Sequence, residues 1–567
     1  MHILFVTSAH NSLSQRLEIE LTRRQHRISL LVVPRRDDDA IARAAADYAP
    51  ELIVAPMLKV PIPEVVWTRI TCLIVHPGII GDRGPSSLDW AIMNREPRWG
   101  VTVLQAAAEM DAGEIWASHD FALGDPPRSK SSLYRHEVTE AAVRGVLEAV
   151  ERFASKQFTP RPLDYAAPDV RGQLRPPIKQ LDRRIDWAAD PTELVIRKIR
   201  AGDSAPGVLD DTLGRPLHLF GAHVEGQLRG APGALIAQRH GAVCRATVDG
   251  AVWITHLRAK PTADAPAIKL PAVEVLGERA RALPTSELPI DVDPGYPTWR
   301  ELRYCERDHV GYLHFDFYNG AMNTAQCERL RAALGFARSR PTKAIALMGG
   351  EDFFSNGIDL NAIEAAASPA RESWRNIHAI NDVVQEVLHT MSHLVVACIR
   401  GNAGAGGAMF ALAADVVYAR RGIVLNPHYA GMGKLYGSEY WTYTLPRRVG
   451  HHHARELTEA LRPIGTDEAC ALGMVDDAFG DTVGAFDREL ALRLRELVGG
   501  RGFTRRLVDK RARSVADEHA KPLEQYREEE LTRMWTNFFG PDPAYHEARR
   551  NFVFKGSAPD PAGAARA

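Results

Sequence analysis

Two blocks in which short apolar runs alternate with amphipathic segments bracket a stretch of strands alone, and this pattern leaves few folds open. In the first block His2–Val6, Ile28–Val33, Leu52–Ala55 and Leu73–His76 are apolar runs of strand length. Leu13–Gln25 carries helical spacing, and Ser132–Phe158 reads as a long amphipathic helix closing the block. Such alternation implies a parallel sheet with its ligand-binding loops at the carboxyl ends of the strands. The next stretch changes character: LHLFGAHVEG, GAVCRATVDG and AVWITHLRA are short strands parted by glycine turns, which suggests a small barrel. Alternation then returns, with strands expected at Val310–Phe317, Ala344–Met348, Leu394–Ile399 and Val416–Ala419 and a helix at Thr324–Ser339. The fold class is therefore α/β and multidomain. Domains are expected at residues 1–168, 169–285 and 299–555, with a linker at 286–298 around LPIDVDPGY and a flexible tail at 556–567.

Bulk properties narrow the function classes. A formal net charge of -1 provides no basic surface for nucleic acid or an anionic membrane. No run of about 18 uninterrupted apolar residues occurs, so no membrane span is expected. The amino end, MHILFVTSAHNS, reads as a strand and a polar turn rather than an export signal, and a cytoplasmic protein is expected. Of the six cysteines none pairs at CxxC spacing, so reduced thiols and no metal site are expected. The run His451–His453 points in different directions on a helix, cannot all ligate one ion, and reads as a solvated helix start.

The chemistry of the front block concentrates in IVHPGIIGDRGPSSLDWAI and VTVLQAAAEMDAGEIWA. His76 stands at a strand end, an Arg83-Gly84 turn follows, and a helix opens at about Ser87. Asp111 then falls in a tight Asp-Ala-Gly turn. Either residue alone is more often a structural group, a capped histidine or a turn aspartate. Together they suit proton transfer near neutral pH, the carboxylate fixing the imidazole tautomer.

These segments resemble the folate-dependent formyltransferase family, whose signature is N-x-H-P, L-L-P, an RG turn and a D-x-G turn. His76-Pro77, Arg83-Gly84 and Asp111-x-Gly113 match it, and IDWAADPTELVIRKIRA resembles the entry to the β-barrel that follows in methionyl-tRNA formyltransferase. The resemblance implies a Rossmann-like domain, catalytic roles for His76 and Asp111, and folate contacts near Leu58 and Val60. Two departures stand out. The asparagine that helps hold the formyl oxygen is Ile74, and L-L-P is Ile79-Ile80-Gly81, which argues for an unusual acceptor.

In the rear block, IALMGGEDFFSNGIDLNAIE and VVACIRGNAGAGGAMFALAADVVYA are each a strand, a glycine turn and a helix start. Two such turns can aim two backbone N–H groups at one carbonyl oxygen. They resemble the crotonase (enoyl-CoA hydratase/isomerase) superfamily. The resemblance implies that Ile358 and Gly406 supply those N–H groups to a coenzyme A thioester, with Ala321 also at the coenzyme site. The two glutamates of hydratases are replaced by Met409 and His428, so hydration is not expected. Within NPHYAGMGKLYGSEYWTY, Tyr429 and Glu439 are the first candidates for catalysis, His428 and Tyr436 the next.

The order formyltransferase, barrel, crotonase resembles the HypX/HoxX family of hydrogenase maturation factors over nearly the whole chain. That resemblance implies transfer of a formyl group from N10-formyltetrahydrofolate to coenzyme A, then release of carbon monoxide for a nickel–iron hydrogenase site. It also implies contact with the hydrogenase maturation machinery or the large-subunit precursor. The alternatives are an amine formyltransferase with a coenzyme A-binding appendage, and a scaffold without catalysis.

Overall fold

The computed structural model describes residues 1–262, 267–292 and 295–555. They form two compact units, residues 1–234 with 245–254, and residues 235–244 with those from 255 onward. The division falls inside the strand-rich middle segment. The expected tail at 556–567 lies outside the described residues, as do positions 293–294 of the expected linker.

The first unit opens with β1 (His2–Thr7), β2 (Arg27–Val32), β3 (Leu52–Ala55), β4 (Cys72–His76), β5 (Arg98–Gln105) and β6 (Ile115–Ala122). Their order in the sheet is β2-β1-β3-β4-β5-β6. Alternate residues feed two cores. Ile3, Phe5, Leu52, Val54 and Leu73 pack with Leu17 and Leu21 of the Ser12–Arg23 helix and with Val146 of the Thr139–Ser155 helix. Leu4, Val6, Ile53 and Cys72 pack with Ile41 of the Asp38–Tyr48 helix. Burial on both faces is why these strands read as unbroken apolar runs.

The expectation of a wholly parallel sheet is corrected. β1 to β4 pair in parallel, but β4–β5 and β5–β6 are antiparallel. Residues 106–114 between β5 and β6 are fewer than the dozen or so that a parallel crossover needs. The closing helix is also segmented, with Lys130–Leu133 and a π-helical turn at Tyr134–Val138 before Thr139–Ser155.

The middle segment is strand-rich as expected, with β7 (Val208–Thr212), β8 (Arg215–Glu225), β9 (Leu235–Arg239), β10 (Ala242–Ala246), β11 (Ala251–Ala259) and β12 (Leu270–Pro271). In the first unit β7 and β8 form a hairpin closed at Thr212↔Arg215. In the second, His256 and Leu257 of β11 pair with β12.

The second unit continues with β13 (Leu302–Arg307), β14 (Val310–Phe315), β15 (Ala344–Leu347), β16 (Phe353–Ser355) and β17 (Leu394–Ile399). Then come β18 (Asn402–Gly404), β19 (Val416–Arg420), β20 (Val424–Asn426), β21 (Ile464–Gly465) and β22 (Asp477–Phe479). The main sheet runs β13-β14-β15-β17-β19-β22 and a smaller one β16-β18-β20-β21. The sequence patterns missed β13, β22 and the small sheet. β13 alternates charges on a sheet edge, and strands of two or three residues carry no readable period. β16 and β18 lead directly into the two glycine turns singled out above. The stretch expected as a linker is tied down within this unit, since Arg239 donates to Ser286 O at 2.5 Å and to Trp299 O at 2.7 Å.

All six cysteines are free thiols. Among the described residues no helix is long and apolar enough to cross a membrane.

Candidate functional site

Each unit carries one site. In the first, β4 delivers His76 at its last residue, with 5% of the side chain exposed. The imidazole stands between two carboxylates: Nε2 is 3.0 Å from Asp82 Oδ2, and Nδ1 is 3.6 Å from Asp111 Oδ2. The Asp82 carboxylate is fully buried, and Arg175 Nε stands 3.6 Å from its other oxygen. A carboxylate acceptor at Nε2 assigns the ring proton of the imidazole there.

The backbone carbonyls of the loop after His76 are held by side chains from other elements. Ser87 Oγ and Trp99 Nε1 donate to Pro77 O at 2.7 and 2.9 Å, and Thr102 Oγ1 donates to Gly78 O at 2.8 Å.

Asp111 reaches His76 by a route the sequence did not predict. Because β5 is antiparallel, with Gln105 opposite Leu73, the turn starts at the amino end of β4 and runs back towards His76. Ala106 packs in one apolar cluster with Ile74, Leu58 and Val60, so the two expected folate-contacting residues line the same patch as the substituted asparagine position. Asp111 itself is left-handed, with φ 55°, and accepts the Gly84 N–H at 3.2 Å. The turn closes so tightly that a Cβ on Gly113 would lie 1.8 Å from Gln105 O. Gly113→Ala is therefore expected to lower stability by about 1–3 kcal/mol or more, a loss that denaturant unfolding would measure. Unchanged stability would contradict this packing.

In the second unit the two glycine turns face one another. A Cβ on Gly357 would meet Gly406 N at 3.3 Å. Gly406 is the first residue of the Gly406–Leu412 helix, where N–H groups have no partner within the helix. The Ile358 N–H donates to no protein acceptor among the described residues. Both donors are thus available to a carbonyl oxygen, and Ala321 lies beside Met322, which bridges to Ile358.

Glu439 comes to the same place. Its Oε1 would sit 2.1 Å from a Cβ on Gly406, so the absence of that atom is what admits the carboxylate. Oε2 accepts from Tyr429 Oη at 2.7 Å and from the Ser438 N–H at 3.2 Å. Burial pushes the Glu439 carboxyl up to about 7, against the opposing pull of those two donors. Burial and the adjoining carboxylate hold the Tyr429 phenol well above its ordinary value, which keeps it a donor.

Of the remaining candidates, Met409 is fully buried in the apolar core, and burial lowers His428 so that its neutral form is favoured. Tyr436 packs its ring 5.4 Å from Trp441. His451, His452 and His453 are exposed and follow Gly450, where the helix breaks at φ 79°. His452, His453 and Glu456 place ligand atoms within 4.8 Å of one another on that surface.

Two family models match: residues 314–552 fit the enoyl-CoA hydratase/isomerase family and residues 177–268 the formyl transferase C-terminal domain. The hydrogenase maturation factor HoxX of Bradyrhizobium diazoefficiens is 47% identical over 558 residues, spanning 98% of this chain and 95% of its own. The chain belongs to the HypX/HoxX family of hydrogenase maturation factors. Crystal structures of HypX from Aquifex aeolicus agree, one at 46% identity and a TM-score of 0.94 over 98% of this chain and 96% of that one. Another, in complex with tetrahydrofolic acid, has a TM-score of 0.93 at 46% identity over the same shares. Methionyl-tRNA formyltransferase of Roseiflexus castenholzii is 31% identical over 179 residues, or 31% of this chain and 55% of that protein.

For this HypX/HoxX member the structure brings His76 to Asp111, and Ile358 and Gly406 to Glu439 and Tyr429. Sequence reasoning missed Asp82 in front and Ser438, Asn381 and Glu530 behind. Asp82 had a signal, a lone acid in the apolar loop IIGDRG. Glu530 had one too, since it takes a core position in its helix, between the buried Leu523 and Met534.

Proposed function

We propose that this protein transfers the formyl group of N10-formyltetrahydrofolate to the thiol of coenzyme A in its front domain (residues 1–168). Its rear domain (residues 299–555) then splits formyl-CoA into carbon monoxide and coenzyme A, in the cytoplasm, for the nickel–iron site of a hydrogenase precursor. The observation that carries this reading is the rear pocket. There the Gly357 and Gly406 turns meet and the buried Glu439 carboxyl lies against Gly406, which supports a site for one carbonyl oxygen, while the family resemblance puts Met409 and His428 where a hydratase has glutamates.

In front, His76 takes the thiol proton as sulfur bonds to the formyl carbon, with Asp82 and Asp111 stabilising the imidazolium. His76 then returns a proton to N10 as the carbon–nitrogen bond breaks. Leu58 and Val60 belong to the apolar patch that would face folate, and Aquifex aeolicus HypX, the 46% identical relative, is described in complex with tetrahydrofolic acid. Ile74 offers no polar group to the formyl oxygen, which disfavours an amine acceptor.

Behind, the Ile358 and Gly406 N–H groups hold the formyl oxygen. Glu439 takes the formyl proton as the carbon–sulfur electron pair leaves with sulfur, and gives the proton back to the thiolate. Tyr429 keeps the carboxylate in place. The sum is loss of carbon monoxide and recovery of free thiol, with no oxidant or reductant.

Incubation with N10-formyltetrahydrofolate and coenzyme A, with released gas trapped by deoxyhaemoglobin, tests the reading. Carbon monoxide well above a His76→Ala control is expected. Formylation of amines without any need for coenzyme A, or ligand binding with no turnover, would overturn it.

A further inference from the structure

Glu439 sits in an expensive piece of backbone. It has φ 62° and the next residue, Tyr440, φ 57°, so two consecutive side-chain-bearing residues are left-handed. Each such residue costs about 1–2 kcal/mol unless its surroundings impose the conformation. Tyr440 is also the N-cap of the Trp441–Glu459 helix and makes no side-chain cap of its own.

The missing cap is supplied from elsewhere. Glu530, on the Leu523–Phe539 helix, is fully buried and accepts four hydrogen bonds. Its Oε2 takes the Tyr440 N–H at 3.0 Å and Ser438 Oγ at 3.2 Å. Its Oε1 takes the Thr442 N–H at 2.9 Å and Thr442 Oγ1 at 2.6 Å. A carboxylate at a helix N-terminus satisfies orphan donors and meets the positive end of the helix dipole. Asn381, on the Pro369–Leu388 helix, completes the clamp. Its Oδ1 accepts the Glu439 N–H at 2.8 Å and its Nδ2 donates to Ser438 Oγ at 2.8 Å. Two helices far apart in sequence thus grip the residues on both sides of Glu439. None of these bonds touches the Glu439 carboxylate, so they fix where it points without competing for its oxygens.

We propose that Glu530 is a positioning residue for the rear site: by capping the helix that starts at Trp441 it imposes the left-handed pair at 439–440 and so holds the Glu439 carboxylate over the Gly406 turn. The proposal rests on the reading of the rear pocket as the place where the formyl thioester is split.

Each oxygen of Glu530 takes one backbone N–H, which can only donate, and one hydroxyl, which can turn to accept, so Glu530→Gln sets its amide NH2 against one backbone N–H of the cap and removes that acceptor. Thr442→Val is the milder companion, which removes one donor and leaves the backbone bonds. Both are made in the full chain and assayed on formyl-CoA supplied directly. Glu530→Gln is expected to lower kcat for carbon monoxide release by about 10–100-fold, the scale of a misplacement near 1 Å, with KM changed less than about two-fold. Thr442→Val is expected to move kcat the same way by a smaller factor. Crystal structures of both variants give a second readout that needs no turnover, in which the Glu439 carboxylate should leave the Gly406 turn. A carboxylate that stays in place with kcat unchanged overturns the role of Glu530. If the unaltered protein releases no carbon monoxide, the reading of the pocket falls, and the position of Glu439 in the Glu530→Gln crystal still decides whether Glu530 holds it.

Discussion

Glu439→Gln is expected to lower carbon monoxide release from formyl-CoA by about 10²–10⁴-fold, the range for losing a positioned base. The amide keeps the size of the side chain and can still accept from Tyr429 Oη, now 2.7 Å from the carboxylate, but it cannot take up the formyl proton. Substrate affinity should change little, because the Ile358 and Gly406 donors remain. The pH dependence follows from the same group together with Glu530, whose carboxyl burial also raises to about 7. Burial raises the Glu439 carboxyl to about 7, and the form that takes a proton is the ionised one. Release should therefore rise with pH, reach half its plateau near 7 and fall away on the acid side. Stopped-flow trapping of the gas across neutrality measures both effects. A Glu439→Gln variant with an ordinary rate, or a profile flat across neutrality, would remove Glu439 from the chemistry.

His76→Ala should cost formyl transfer to coenzyme A a similar about 10²–10⁴-fold, since in the proposed reaction the imidazole carries the proton in both directions. Asp82→Asn makes the sharper test. An amide beside Nε2, where the carboxylate is now 3.0 Å away, no longer dictates the tautomer or supports the imidazolium. Loss of the orienting carboxylate in comparable His–carboxylate systems reaches about 10⁴-fold, so at least about tenfold is expected here. Asp111→Asn should be milder, because its oxygen lies 3.6 Å from Nδ1 and is shared with the Gly84 N–H. All three variants should still split formyl-CoA supplied from outside. Equal transfer rates for Asp82→Asn and the unaltered protein would show that Asp82 is only a buried partner.

Much of the front site was legible because its carriers are local. His76 at a strand end, the Arg83-Gly84 turn and Asp111 in a tight turn follow from patterns a few residues long. The two rear glycine turns were legible for the same reason, since a strand, a glycine and a helix start are contiguous. The middle segment was recognised as strand-rich by its glycine punctuation, but the strands of two and three residues that build the small second sheet were not, as no period fits inside them.

By itself the sequence determined the order of its α/β and strand-rich segments, the two pairs of turns proposed to bind, and the absence of glutamates at positions 409 and 428. These depend on backbone propensity and on neighbours within one turn or strand. Tertiary structure alone decided which charges meet. It reversed β5, so that Asp111 approaches His76 by folding back along the sheet. It placed Asp82 closer to His76 than Asp111 is, and it carried Glu530 across 92 positions to Ser438. The physical reason is that a buried carboxylate is tolerable only where donors converge on it, and those donors lie on elements brought together by packing.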